Sequence, residues 1–129
     1  MCGIAGFIDF HKKSTKSNIQ SMIEPLNHRG PDGEGVTIFK SKNAIIGFGH
    51  KRLSIIDLSQ TGKQPMALNN LHITYNGEIY NYKEIKNELL ELGHHFNGES
   101  DTEMILHAYT EWGIKAVERF IGMFAIALF

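Results

Sequence analysis

The amino-acid sequence predicts one mixed α+β domain, built from antiparallel sheet and short amphipathic helices. Three observations carry this reading. Apolar runs of strand length recur at residues 2–10, 36–39, 44–48, 71–75 and 123–129, separated by polar loops. Between them, apolar residues return at helical spacing behind residues that cap helices. The runs at 36–39 and 44–48 flank the short polar turn at 40–43, a connection too brief for anything but antiparallel neighbours. At 129 residues with 42% hydrophobic side chains, one core is the expectation.

Taken in order, residues 2–10 alternate small and branched apolar side chains and close at Asp9 and the basic turn behind it. Ser17 is placed to cap a short helix carrying Ile19, Met22, Ile23 and Leu26. Residues 28–35, HRGPDGEG, read as a loop from their glycines and proline. After the hairpin at 36–48, residues 54–66 read as irregular, and the strand at 71–75 ends on the turn dipeptide Asn76-Gly77. Asn81 is placed to cap a helix running to Leu92, with Ile85, Leu89 and Leu92 on one face and Gly93 as its stop. His95-Phe96 reads as a short strand. Ser100 and Glu103 have the spacing of a capping box, which opens a helix carrying Met104, Ile105, Ala108 and Tyr109 and stopping near Gly113. Further helical turns at 115–120 lead to a last strand, apolar on both faces. The uncharged run GMFAIALF needs cover on both sides, so the domain is expected to be C-terminally truncated.

Composition excludes several classes. Thirteen Lys and Arg against fourteen Asp and Glu leave no basic footprint for a nucleic acid. A single cysteine, Cys2, rules out an internal disulfide and a thiolate metal cage, and it suits a reducing cytoplasm. The opening MCGIAGFIDF has no basic start and is followed by His11, Lys12 and Lys13, the reverse of a signal peptide; no apolar run reaches membrane-spanning length. The protein is therefore expected to be cytoplasmic, without nucleic-acid or membrane partners. Seven histidines do not make a metal site: His94 and His95 are adjacent, no zinc spacing occurs, and His107 reads as a helix-surface or core residue. Gly62-Lys63-Gln64 lacks the upstream glycine and the Ser or Thr of a phosphate-binding loop, so no cofactor or metal is expected in this chain.

What remains is Cys2. An N-terminal cysteine unites a soft nucleophile with a base, because a free α-amine ordinarily titrates at about 7.7 to 8.0 and so accepts a thiol proton near neutrality. That use requires loss of Met1, which the small neighbouring side chain permits. Taken alone, Cys2 reads more readily as a small buried hydrophobe at the head of a strand. The surrounding motifs change the balance. MCGIAGF at 1–7, HRGPD at 28–32, HKRLSIID at 50–57, NGEIYN at 76–81 and SDTE at 100–103 follow in an order and spacing that resembles the class II glutamine amidotransferases, across essentially the whole chain. HRGPD and RLSIID are similar to the asparagine synthetase branch rather than to the branches that make glucosamine phosphate or phosphoribosylamine.

The resemblance implies a four-layer αββα sandwich of two antiparallel sheets, the fold of N-terminal nucleophile hydrolases. It also implies roles. Cys2 would attack the carboxamide of L-glutamine; Asn76, through its side-chain NH2, and Gly77, through its backbone N–H, would stabilise the oxyanion. Arg52 would hold the substrate carboxylate as a bidentate fork, Glu78 and Asp101 would hold its ammonium, and the backbone at Leu53 and Ile55 would line the pocket. No chemical step falls to His28, Arg29 or Asp32. The partners implied are L-glutamine and a C-terminal synthetase domain absent from this sequence, where ATP and Mg would act; a homodimer is compatible with the family. The rival expectations are a relative that sends ammonia to another acceptor and a non-catalytic fragment.

Overall fold

A computed structural model of the chain describes residues 2–53 and 62–129. Two three-stranded antiparallel sheets form its centre. The first joins β1 (Gly3–Asp9), β3 (Ile45–Arg52) and β2 (Gly33–Lys40) in the order β1-β3-β2. The second joins β4 (Met66–Leu68), β5 (Leu71–Ile79) and β6 (Gly122–Leu128) in the order β4-β5-β6. Helix α1 (Lys16–Ile23) covers the outer face of the first sheet, burying Ile19 and Ile23 over Gly49, where a Cβ would lie 2.4 Å from Ile23. Helices α2 (Tyr82–Glu91) and α3 (Asp101–Trp112) cover the second sheet and bury Ile85, Leu89, Met104 and Ile105 against Ile73 and Ile79. The sheets meet face to face through Phe48, Phe39 and Ala127, and through Thr74 Oγ1, which donates to Gly49 O at 3.3 Å. Helix, sheet, sheet, helix is the four-layer sandwich expected. No helix among the described residues is long and apolar enough to cross a membrane.

Several elements differ from their local signals, each for a physical reason. The residue before α1 is Thr15, not Ser17, and its N–H is taken by the Asn18 side chain at 2.7 Å. Gly33, Glu34 and Gly35 are strand rather than loop. Their pairing with Arg52, Lys51 and His50 extends β2, and Gly35 is needed for contact, since a Cβ there would meet Gln64 O at 2.1 Å. β4 has only three residues, too few to show a period of two, and its first, Met66, lay in the stretch read as irregular; residues 54–61 of that stretch lie outside the described residues.

Asn76-Gly77 is not a turn. β5 runs straight through it, with Asn76 opposite Ala125 and Gly77 opposite Phe124. His95-Phe96 forms no strand; Phe96 packs its ring 4.3 Å from that of His107, which is buried. Leu92 follows α2 and is 52% exposed, outside the buried face of Ile85 and Leu89. Asn81 precedes α2 without capping it. Its side chain instead joins Arg119 O and Ile121 N, tying the start of α2 to the start of β6. At α3, Ser100 Oγ accepts from Glu103 N as a capping box requires, but the Glu103 carboxylate turns to the N–H groups of Asn97 and Gly98, at 2.8 Å each. Both faces of β6 are used, Phe124, Ile126 and Leu128 toward the helices and Ala127 toward Phe48.

Candidate active site

One end of the sandwich opens into a cleft of about 440 Å³. Cys2, Arg52, Leu53, Asn76, Gly77, Glu78 and Asp101 all line it, although they come from the head of β1, the end of β3, the middle of β5 and the start of α3. Ile55 lies outside the described residues.

Strand register explains the assembly. Gly3 pairs with Lys51, which places Cys2 beside Arg52. The Leu53 N–H donates to Cys2 Sγ at 3.3 Å, and the same sulfur lies 3.8 Å from Leu53 O. The HRGPD loop braces this corner. Arg29 Nε donates to Cys2 O at 3.0 Å, Asp32 N donates to Arg52 O at 3.0 Å, and Gly30 sits so close to β3 that a Cβ would lie 2.4 Å from the Lys51 carbonyl. The loop thus holds Cys2 and Arg52 side by side at the cleft.

On β5, Thr74 faces the first sheet, so alternation turns Asn76 and Glu78 to that same side. Tyr75 points the other way, and its hydroxyl donates to Asp101 Oδ2 at 2.6 Å. Burial raises the Asp101 carboxyl above its ordinary range, while the bonds from Tyr75 and from backbone N–H groups pull it down. Gln64 joins the same frame, accepting from Tyr75 N at 2.6 Å and donating to Thr102 Oγ1 at 3.2 Å. Asp101 is therefore held from β5, by the Tyr75 hydroxyl and the Ile79 backbone, as well as by the backbone of its own helix.

Gln64 and Tyr75 escape a reading of motifs, and His50 and Thr102 stand within HKRLSIID and SDTE with no role assigned to them. Of these, His50 had a legible signal: it stands two residues before Arg52 on a strand, hence on the same face. Burial pushes its pKa down to about 4 from 6.5, against a hydrogen bond with the Tyr75 backbone that raises it and with the Arg52 charge that lowers it further. The unfolded chain takes up a proton here below about pH 6.5 that the folded protein excludes until about pH 4. Stability present above pH 6.5 is therefore lost as pH falls through that window, by on the order of 3 kcal/mol. Denaturant titrations between these limits should show a shallower loss for His50→Phe than for the parent protein; equal slopes contradict the assignment. Among the described residues no group of three or more His, Cys, Asp or Glu is arranged to hold a metal ion.

A family model described as a glutamine amidotransferase domain matches residues 1–129. The chain is 42% identical to the putative glutamine-hydrolysing asparagine synthetase 2 of Methanocaldococcus jannaschii, over 100% of this chain and 28% of that protein. It is 40% identical to the glutamine-hydrolysing asparagine synthetase 3 of Bacillus subtilis, over 99% of this chain and 21% of that one. The chain thus spans less than a third of the length of either relative. Among solved structures, the glutamine phosphoribosylpyrophosphate amidotransferase of B. subtilis superposes with a TM-score of 0.79 over 98% of this chain and 34% of that one. At 19% identity, that likeness speaks for the fold alone.

Proposed function

The chain belongs to the glutamine amidotransferase domain family, and on that premise we propose that it is the glutaminase half of an asparagine synthetase, hydrolysing L-glutamine through a thioester on Cys2. The observation that supports this most is the convergence of Cys2, Arg52, Leu53, Asn76, Gly77, Glu78 and Asp101 on one cleft from four separate elements.

In this reading Met1 is removed and the freed α-amine of Cys2 takes the thiol proton. The sulfur attacks the carboxamide carbon, and the carbonyl electron pair moves onto oxygen, where the Asn76 NH2 and the Gly77 N–H receive it. Collapse of this intermediate breaks the C–N bond, the ammonium proton passes to the departing nitrogen, and ammonia leaves. Water then cleaves the thioester to glutamate and restores the thiol. Arg52 fixes the α-carboxylate, while Glu78 and Asp101 fix the α-ammonium, so that the carboxamide lies at the sulfur. In the whole protein, ammonia passes to a C-terminal synthetase domain that uses ATP and Mg to make asparagine from aspartate. Glutamate release from glutamine, coupled to asparagine formation in the full-length protein, tests the reading; glutamate without asparagine would point to another acceptor.

The clamp has its own tests. Arg52→Lys keeps the charge but loses the planar fork, and the KM for glutamine should rise at least about tenfold. Equal catalytic efficiency in the two proteins removes Arg52 from the carboxylate role. Tyr75→Phe deletes the hydroxyl that orients Asp101 at 2.6 Å. Losing one partner of a part-buried carboxylate costs about 1–3 kcal/mol, so KM should rise with kcat nearly unchanged. A fall confined to kcat would place Tyr75 elsewhere in the reaction.

A further inference from the structure

Glu103, His107 and Glu111 follow one another at four-residue spacing along α3, and so share one face of it. His94, from the segment after α2, joins them into a chain. Its Nε2 stands 2.9 Å from Glu111 Oε2, and its Nδ1 stands 3.0 Å from His107 Nδ1. At the inner end His107 Nε2 is buried without a hydrogen-bond partner among the described residues, 3.9 Å from Glu103 Oε1. The Glu103 carboxylate accepts from Asn97 N and Gly98 N at 2.8 Å each, and its backbone N–H is given to Ser100 Oγ. Glu103 therefore anchors the loop at 97–100, whose last two residues line the cleft beside Asp101.

An ionised carboxylate only accepts, so His94 donates to Glu111 from Nε2 and, when neutral, carries its lone pair on Nδ1. His107 then donates from Nδ1, which leaves the lone pair of its own Nε2 toward Glu103. One more proton changes only the inner end. Whichever ring takes the charge, both outer contacts are kept and an N–H appears on His107 Nε2, facing the Glu103 oxygen that serves Asn97. A cation there competes with the loop for the carboxylate. Burial and the His94 charge hold His107 below its ordinary range, against the Glu103 charge that raises it. Other ionisable groups near the pair have partners of their own. Lys86 of α2 donates to Gly98 O and Glu99, Glu88 holds Arg119, and Tyr75, from the face of β5 turned to the helices, donates to Asp101. We propose that His94 and His107 are positioning residues for glutamine, which rests on the glutaminase reading: the neutral pair leaves Glu103 to hold the loop before Asp101, and one more proton draws Glu103 away and weakens the grip on the substrate ammonium.

The test is the Kd of L-glutamine for full-length Cys2→Ala protein, read by calorimetry from about pH 8 down to about pH 5. His107→Asn, added to this background, keeps a donor near the place of Nδ1 but has no nitrogen to turn toward Glu103. Between the two limits Kd should rise at least about fivefold more with the native pair than with His107→Asn. Protonation of Asp101 or His50 acts on both proteins alike, so the difference between the profiles reports the pair. Glu103→Gln accepts from only one of the two loop N–H groups and offers no charge to a cation. It should bind glutamine more weakly even at about pH 8 and show the same flattened profile. Melting temperatures show which variants fold, and where His107→Asn does not, Glu103→Gln decides. A merely structural role weakens binding by one factor at every pH, so profiles parallel to that of the native pair overturn the proposal. Cys2→Ala protein that binds no glutamine at any pH overturns the glutaminase reading and this proposal together.

Discussion

Cys2→Ala is expected to abolish glutamate release while leaving glutamine binding measurable by calorimetry. The loss should be at least about four orders of magnitude in kcat, since removing a nucleophile leaves only the rate that binding and oxyanion donors supply. Binding should survive because the groups proposed to hold the substrate, Arg52, Glu78 and Asp101, lie on β3, β5 and α3 and not on the strand that carries the sulfur. Cys2 contributes only a half-buried side chain, whose polar contacts are with the Leu53 backbone, so the fold loses little. Retained turnover in this variant would show that hydrolysis runs by another route.

Gly77→Ala should come next in severity, and through backbone rather than chemistry. A Cβ at this position would lie 2.3 Å from Met123 O and 2.6 Å from Phe124 Cα. Both atoms are main chain of β6, so no side chain can rotate away, and β5 and β6 must part where Asn76 and Gly77 face the cleft. The expected cost is about 2–4 kcal/mol in stability with a large fall in turnover, read by denaturant unfolding and by glutaminase assay. Gly93→Ala is the control. Its φ of 93° strains any side chain, but nothing lies within 4 Å of the new Cβ, so a loss of about 1 kcal/mol with normal turnover is expected. Similar behaviour of the two variants would contradict the close approach of β6 as the reason for Gly77.

That glycine also shows where a sequence is and is not legible. Asn-Gly after an alternating strand is the strongest local signal for a hairpin, and the same two residues serve when a neighbouring backbone must come close. Only the pairing of Gly77 with Phe124, across distant sequence, distinguishes the two uses. Gly35 is the same case, loop by its local sequence and close contact with Gln64 in the fold. Periodic stretches were more faithful: β1 and α3 stand where their patterns place them, and α3 even keeps the Ser100 half of its capping box. The motif-borne residues Cys2, Arg52, Leu53, Asn76, Gly77, Glu78 and Asp101 meet in one cleft, because register carries order along the chain into proximity. Their supports, Gln64, Tyr75 and Thr102, were illegible, since each is an ordinary strand, turn or helix residue until β5 is laid against the start of α3. Arg29 belongs with them. It has no reacting partner, and its value lies in the hydrogen bond to Cys2 O.

The proposed reaction depends on one sulfur with an unblocked amine beside it. Full-length protein quenched in acid during glutamine turnover, then digested and analysed by mass, tests it most directly. An N-terminal peptide that begins at Cys2 and carries a glutamyl adduct on its sulfur is the predicted result; an active enzyme that retains Met1, or an adduct found on any other residue, would contradict it.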